Sequence, residues 1–312
     1  MYKMNAKIIE CKKLISFVGR NTKCYFKDKF MFFVSLLSPI ILLILFATFL
    51  RNVYIDSFQT SLPENFAVNS RILEGITGAW LMSSILSVSS VTVAFCSNVI
   101  MINDKIDGNF NDFRVSPVKG TTISLSYFVS NFFVTFIVMI CLMLIGHIYL
   151  ACVGWYIPVG DAFMIIVDVF CSVLFGTLLA GLVESFIASQ GGLSAVSTLV
   201  SSMYGFICGA YMPLSQFSEG LRNTLCLLPG TYGVGIIRNH YMNGYLSALA
   251  DEGVPAEAID EIRINFDADI KVFGTDIPLG AMYGILLGTC ALLLAAYIAV
   301  VFIQNRRKRS VK

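Results

Sequence analysis

The stretch ITGAWLMSSILSVSSVTVAFCSNVIMI, residues Ile76–Ile102, decides the fold. It holds no Asp, Glu, Lys or Arg, and it exceeds the roughly 20 apolar residues with which a helix crosses a bilayer core of about 30 Å. In lipid, a helix satisfies the backbone hydrogen bonds of such a segment internally. The same reading picks out five further blocks, approximately Phe30–Leu50, Thr122–Leu150, Ala162–Ala188, Ala195–Met212 and Ile277–Ile303. The expected fold class is an all-α integral membrane protein with six transmembrane helices. The blocks at Ile76–Ile102 and Thr122–Leu150 are longer than the bilayer needs, which predicts tilt or protrusion.

Composition points the same way. Of 312 residues, 56% are hydrophobic and only 13% are charged, about half the charged share of a soluble domain. The net charge of +2 gives no sign of a nucleic-acid partner. Its distribution sets orientation. Of 22 Lys and Arg, sixteen fall in the first 29 residues, the 103–121 loop and the tail from Arg306. The other six are Arg51, Arg71, Arg222, Arg238, Arg263 and Lys271, spread over longer loops. The positive-inside rule then places both termini in the cytoplasm. The N-terminus does not read as a cleavable signal: its apolar run starts only near Phe30 and is too long.

Residues 1–29 form their own unit. Met4, Ile8, Cys11, Ile15 and Val18 recur at steps of four and three with lysines opposite, the pattern of an amphipathic helix lying in the headgroup layer. Residues 30–312 form the transmembrane domain. Within it, 213–276 divides in two. Pro213–Asn243 is half apolar and broken by Pro213, Pro229, Gly230, Gly233 and Gly235, which suits short helices re-entering the outer leaflet where protein covers the backbone. Gly244–Asp276 is acidic and is expected to be a solvated cap.

The nine cysteines show no C-x-x-C spacing, and His147 and His240 lack a partner motif, so no metal centre is expected. No G-x-x-x-x-G-K-[ST] occurs, so nothing here cradles a triphosphate. Ser189–Ser194 reads as a tight turn. Asp168, Glu184 and His147 are the ionisable groups inside blocks or at their ends, costly in lipid and so structural or functional. No pairing among them resembles a hydrolase. On the second block Ser83, Ser87, Ser90, Ala94 and Ser97 share one helical face, with Asn98 beside them. On the fifth, Ser194, Ser197, Ser201, Gly205 and Cys208 do the same. Such stripes serve either tight helix packing or a lined cavity between two subunits. Gly280, Gly284 and Gly288 form a third small face, expected to pack. The loop 103–121 mixes charges with Phe110, Phe113 and Val115, which a merely solvated loop does not need. A short helix ending before Pro117 and docking on a soluble partner accounts for them.

In this order the pieces resemble the ABC-2 family of ATP-binding-cassette transporter permeases, of the six-span half-transporter, type V exporter-like kind. Phe26-Lys27-Asp28-Lys29 followed by Ser38-Pro39-Ile40 and Phe46 is similar to that family's entry into its first span. Asp104…Gly108…Arg114-Val115-Ser116-Pro117-Val118 resembles its inside loop, although Asp104 and Asp107 stand where many relatives carry Glu, and Gly108-Asn109 replaces the usual Gly-Thr. Gly209–Leu214, Leu228–Tyr232 and Ile237-Arg238 resemble its fifth span and re-entrant segment. The resemblance implies a non-enzymatic permease in the plasma membrane, paired with a second copy or paralogue. Two cytoplasmic ATPase subunits, which bind the ATP and Mg, would grip the interfacial helix and the loop carrying Asp104, Gly108, Phe110, Phe113, Arg114 and Pro117. It further implies a central cavity lined from the second and fifth helices, with Ser83, Ser87, Ser90, Ser97, Asn98, Ser197 and Ser201 as candidates. Pro213, Pro229 and Arg238 would shape the re-entrant segment. Drugs, antibiotics and lipids are all admissible cargo. The rivals are an ion-gradient transporter, which needs buried charge pairs and usually inverted repeats, and a membrane receptor or anchor.

Overall fold

The computed structural model describes residues 2–60, 69–109, 112–113 and 118–307. Twelve α-helices account for nearly all of the described residues: α1 (Tyr2–Lys27), α2 (Lys29–Ser35), α3 (Leu37–Leu45), α4 (Arg51–Thr60), α5 (Ser70–Ile106), α6 (Gly120–Val153), α7 (Val159–Glu184), α8 (Gln190–Ile207), α9 (Glu219–Leu225), α10 (Pro229–Asp251), α11 (Ala256–Asn265) and α12 (Leu279–Arg307). Among the described residues, four helices are long and apolar enough to cross a membrane: α5, α6, α7 and Leu279–Gln304 of α12.

The remaining two expected spans are built differently. The Phe30–Leu50 block is divided at Leu36 and again by a π-helical turn at Phe46–Leu50, and the chain runs on helically through α4 to Thr60. The fifth block ends at Ile207 rather than Met212. Gly209 adopts φ +73°, a conformation that favours glycine and ends helices, and the N–H groups of Ala210 and Tyr211 both turn back to the Gly205 carbonyl.

Two further expectations need correction. The all-α reading misses a small hairpin, β1 (Ile270–Val272) paired antiparallel with β2 (Thr275–Ile277). Its two turn residues, Phe273 and Gly274, have φ of 48° and 79°, as a tight two-residue hairpin turn requires. The boundary set at Gly244 also falls inside a helix, because α10 continues to Asp251 with Pro229 in its first turn, where a missing N–H costs nothing.

α5 is the centre of the molecule. In its most apolar window 94% of the residues are buried, against 28% in α6 and 17% in α12. It is packed on by α3, α6, α7, α8 and α10. The α5–α7 contact is backbone-close: a Cβ on Gly176 would strike the Ser90 carbonyl. By contrast, a Cβ on Gly280, Gly284 or Gly288 would meet nothing among the described residues, so they leave this face of α12, expected to pack, uncovered.

Candidate functional site

Asp104 sits at the end of α5 where the 103–121 loop begins, and it is nearly buried. Arg20 of α1 holds it with a two-pronged ion pair, Nη2 donating to Oδ1 at 2.9 Å and Nη1 to Oδ2. Tyr127 of α6 donates to Oδ2 at 2.6 Å and Asn109 Nδ2 to Oδ1 at 3.1 Å. These bonds to Asp104 raise the Arg20 pKa above its ordinary value. The Arg20 guanidinium also lies 5.0 Å from the Phe113 ring centre, and Phe17 meets the same ring edge-on at 5.2 Å. Thus α1, the end of α5, the start of α6 and Phe113 are joined at one carboxylate. Gly108 follows with φ +84°, turning the chain out of α5. Phe110, Arg114 and Pro117 lie outside the described residues. Away from this joint α1 leaves Ile9 and Ile15 more than half exposed among the described residues.

The two serine stripes do not meet on one wall. Ser83, Ser87, Ser90, Ser97 and Asn98 are all buried inside the subunit. The hydroxyls of Ser83, Ser87 and Ser90 donate to carbonyls three or four residues back on α5, at 2.7 Å each. Ser197 and Ser201 of α8 remain partly exposed. Ser201 and Ser202 line a groove of about 1080 Å³ whose opposite wall is Ile41, Leu45, Phe49 and Val53 of α3, the π-turn and α4. Its end is closed by Tyr211–Pro213, Gln216 and Phe266. The volume is that of a site for a drug-sized molecule, and the lining is mostly apolar with a few polar groups.

The groove end is held by Arg238. Its side chain is fully buried and reaches four acceptors in three parts of the chain: Nη2 donates to Ser84 Oγ and the Gly209 carbonyl at 3.0 Å each, and Nη1 to the Phe266 carbonyl at 3.1 Å and Asp267 Oδ2 at 3.2 Å. Trp80 lies under the guanidinium at 4.7 Å. Asp267 in turn accepts the Leu214 N–H at 2.7 Å, just after Pro213. Tyr54 stacks near Trp80 at 4.4 Å and its hydroxyl donates to the Tyr211 carbonyl at 3.3 Å. Phe58 lies flat on Phe266 at 3.7 Å. Arg238, placed by sequence in the re-entrant segment, therefore joins that segment to α5 and to the cap. Pro229 opens the helix that carries it.

A second buried polar cluster joins residues that sequence reading left apart. Asp168 of α7 is fully buried, with Oδ2 2.7 Å from His240 Nδ1 of α10 and Oδ1 accepting the Tyr283 hydroxyl of α12. Nearby, Asn243 donates to Asp161 at 2.8 Å. At the other end of α7, Glu184 accepts from Asn98 Nδ2 at 2.7 Å. The signal available for the cluster was an acid, a histidine and a tyrosine inside apolar surroundings, but no local spacing relates them. Replacing Asp168 by Asn should lower stability in detergent by about 1–3 kcal/mol, the scale of a buried donor losing its charged acceptor. Tyr283→Phe alone should cost less, and the double change should cost less than the sum, because both act on one carboxylate. Thermal unfolding of the solubilised protein reads all three. Strict additivity would mean the cluster does not act as a unit.

The family description for ABC-2 type transporters matches residues 12–242, a span that includes α2 to α9, most of α1 and most of α10. No curated protein is significantly similar to the sequence.

Proposed function

The chain belongs to the ABC-2 type transporter family, and from that premise we propose that it is the permease half of an ATP-driven exporter. It is a multi-pass membrane protein, the transmembrane component of an ATP-binding-cassette transporter, and such subunits carry no ATPase site of their own. They typically pair with cassette ATPase subunits. The finer reading is six spans, both termini in the cytoplasm of a plasma-membrane protein, and two permease chains facing each other.

The observation that carries it is the groove between α3–α4 and α8. Its walls present exposed Ile41, Leu45, Phe49 and Phe206, and its polar groups sit at intervals among them. Such a surface suits a bulky amphipathic cargo, a drug, antibiotic or lipid, with a second permease copy completing the far side. Closure of the ATPases would act through the joint at Asp104, shift α5 with its attached helices, and change the affinity of the groove for cargo. A ligand is moved only by such a difference between two states. Buried charge pairs, which a gradient-driven carrier would need, do occur. However, both oxygens of Asp168 are bonded within the subunit, as a structural clamp requires.

The test is co-expression with a cassette ATPase. The permease should retain the ATPase through purification, and inverted vesicles should accumulate lipophilic fluorescent dyes only with ATP. Ser201→Phe, which fills the groove, should abolish dye uptake at normal expression and ATPase retention. Ser90→Phe should instead reduce folded protein, since Ser90 packs at the backbone contact with Gly176; overpacking there costs about 1–3 kcal/mol or more. Normal uptake by Ser201→Phe would remove the groove from the transport path.

A further inference from the structure

The elbow between α1 and α2 encloses a pocket that the transport reading leaves unused. Its volume is about 180 Å³, and its wall includes Arg20 and Cys24 of α1, Asp28 and Met31 at the elbow, and Asn103 and Asp104 of α5. That is smaller than the roughly 300 Å³ at which drug-sized sites begin, so it fits a head group rather than a whole cargo molecule. The adjoining surface is apolar and uncovered: Phe30, Phe33 and Leu37 are 76%, 64% and 53% exposed. This small pocket of mixed character, walled also by Tyr25, Val99 and Ile100, lies beside an apolar apron where the chain passes from the headgroup layer into hydrocarbon.

Charge selects the occupant. Arg20 is committed to Asp104, whose oxygens also accept from Tyr127 and Asn109. Asp28 is different. Its Oδ1 caps α2 by accepting the Met31 N–H at 3.0 Å, and among the described residues it has no ion-pair partner. The pocket therefore presents one carboxylate without an ion pair among the described residues, and its chain neighbours Lys27 and Lys29 are exposed. The geometry points to a site for a phospholipid with a primary ammonium head group, phosphatidylethanolamine being the test case. The ammonium donates to Asp28 and to the Asn103 carbonyl oxygen, the phosphate meets Lys27 and Lys29, and the acyl chains follow Phe30, Phe33 and Leu37. A choline head group has no N–H to donate, and an anionic one without an amine meets Asp28 as a like charge. This rests on reading α1 as a headgroup-layer helix, and on nothing about cargo.

The experiment is native mass spectrometry of the purified full chain after exposure to mixed micelles holding equal amounts of phosphatidylethanolamine, phosphatidylcholine and phosphatidylglycerol. The wild type should retain phosphatidylethanolamine over phosphatidylcholine by roughly threefold, the scale of one modest net hydrogen bond, since both head groups are cationic and only the first donates N–H. Asp28→Asn keeps the helix cap and removes the charge that strengthens the ammonium hydrogen bond, so the preference should shrink towards equal retention while total bound lipid stays similar. Met31→Trp should fill the pocket and reduce tightly held lipid of every class. Equal retention of the three lipids by the wild type, a preference for phosphatidylglycerol, or an unchanged preference in Asp28→Asn would each overturn the site. None of these outcomes depends on dye transport or ATPase retention, so failure here leaves the exporter reading standing.

Discussion

Arg238→Met should leave little folded, monodisperse protein after extraction in mild detergent. The side chain is fully buried and donates to Ser84, two carbonyls and Asp267, so methionine keeps its bulk but strands four acceptors. Asp267 then becomes a buried carboxylate without its counter-charge. Removing one partner of a buried ion pair costs about 3–5 kcal/mol, a large part of the total stability of most domains. Loss of the Trp80 contact adds to it. Lysine should rescue poorly, because one ammonium cannot reproduce a fork that reaches four acceptors at once. Asp267→Asn offers a sharper control. Asparagine tolerates the φ of 55° found at this position, and it can still accept from Leu214. In the Arg238→Met background it should recover part of the lost protein by removing the unpaired charge. Size-exclusion profiles and thermal midpoints measure both. A folded Arg238→Met protein with an unchanged midpoint would show that the guanidinium does not hold the groove end.

The sequence made α5 legible because a long run without charge has one cheap form in lipid. It did not reveal that α5 is central, since lipid and protein reward the same apolar side chains. That distinction lay in the serines: Ser83, Ser87 and Ser90 read equally as cavity lining or packing, and only their burial and their bonds to the α5 backbone separate the two. Gly280, Gly284 and Gly288 read as a packing face, but small residues permit close approach without requiring it, and none of the described residues approaches them. Helix ends were roughly legible in the four long apolar helices, but not where the chain stays helical beyond the apolar run, as on to Thr60, or where backbone conformation decided them, as at Gly209. The buried clusters were not legible at all. Asp168 and His240 are 72 residues apart and Arg238 and Asp267 are 29 apart, so neither pair leaves a spacing that one sequence can show. Asp104 was found from the loop motif, but its partner Arg20, 84 positions away, was counted only as one of many inside cations.

That partner is where charge reversal should have the largest functional effect. Arg20→Glu sets a like charge against Asp104, a carboxylate that cannot turn to water because Tyr127 and Asn109 also hold it. The Arg20 side chain is 35% exposed, so the loss is smaller than for a fully buried pair, about 1–3 kcal/mol after allowing for solvent screening. This is enough to release α1 from the end of α5 without unfolding the α5 core. It would also remove the Arg20 contact from Phe113, which packs on Phe17 as well. If the joint passes ATPase motion to α5, the variant should still insert in the membrane, but the ATPase should be lost on purification or hydrolyse ATP without dye uptake. Phe113→Ala combined with Arg114→Glu, changed in the same loop, should give the same phenotype. Arg20→Glu with Asp104→Arg restores opposite charges across the same gap and should regain part of the uptake. Arg20→Lys, with one contact instead of two, should fall between wild type and reversal. Uptake at the wild-type rate in Arg20→Glu, with the ATPase retained, would place the coupling elsewhere and leave this ion pair a fastening of α1 alone.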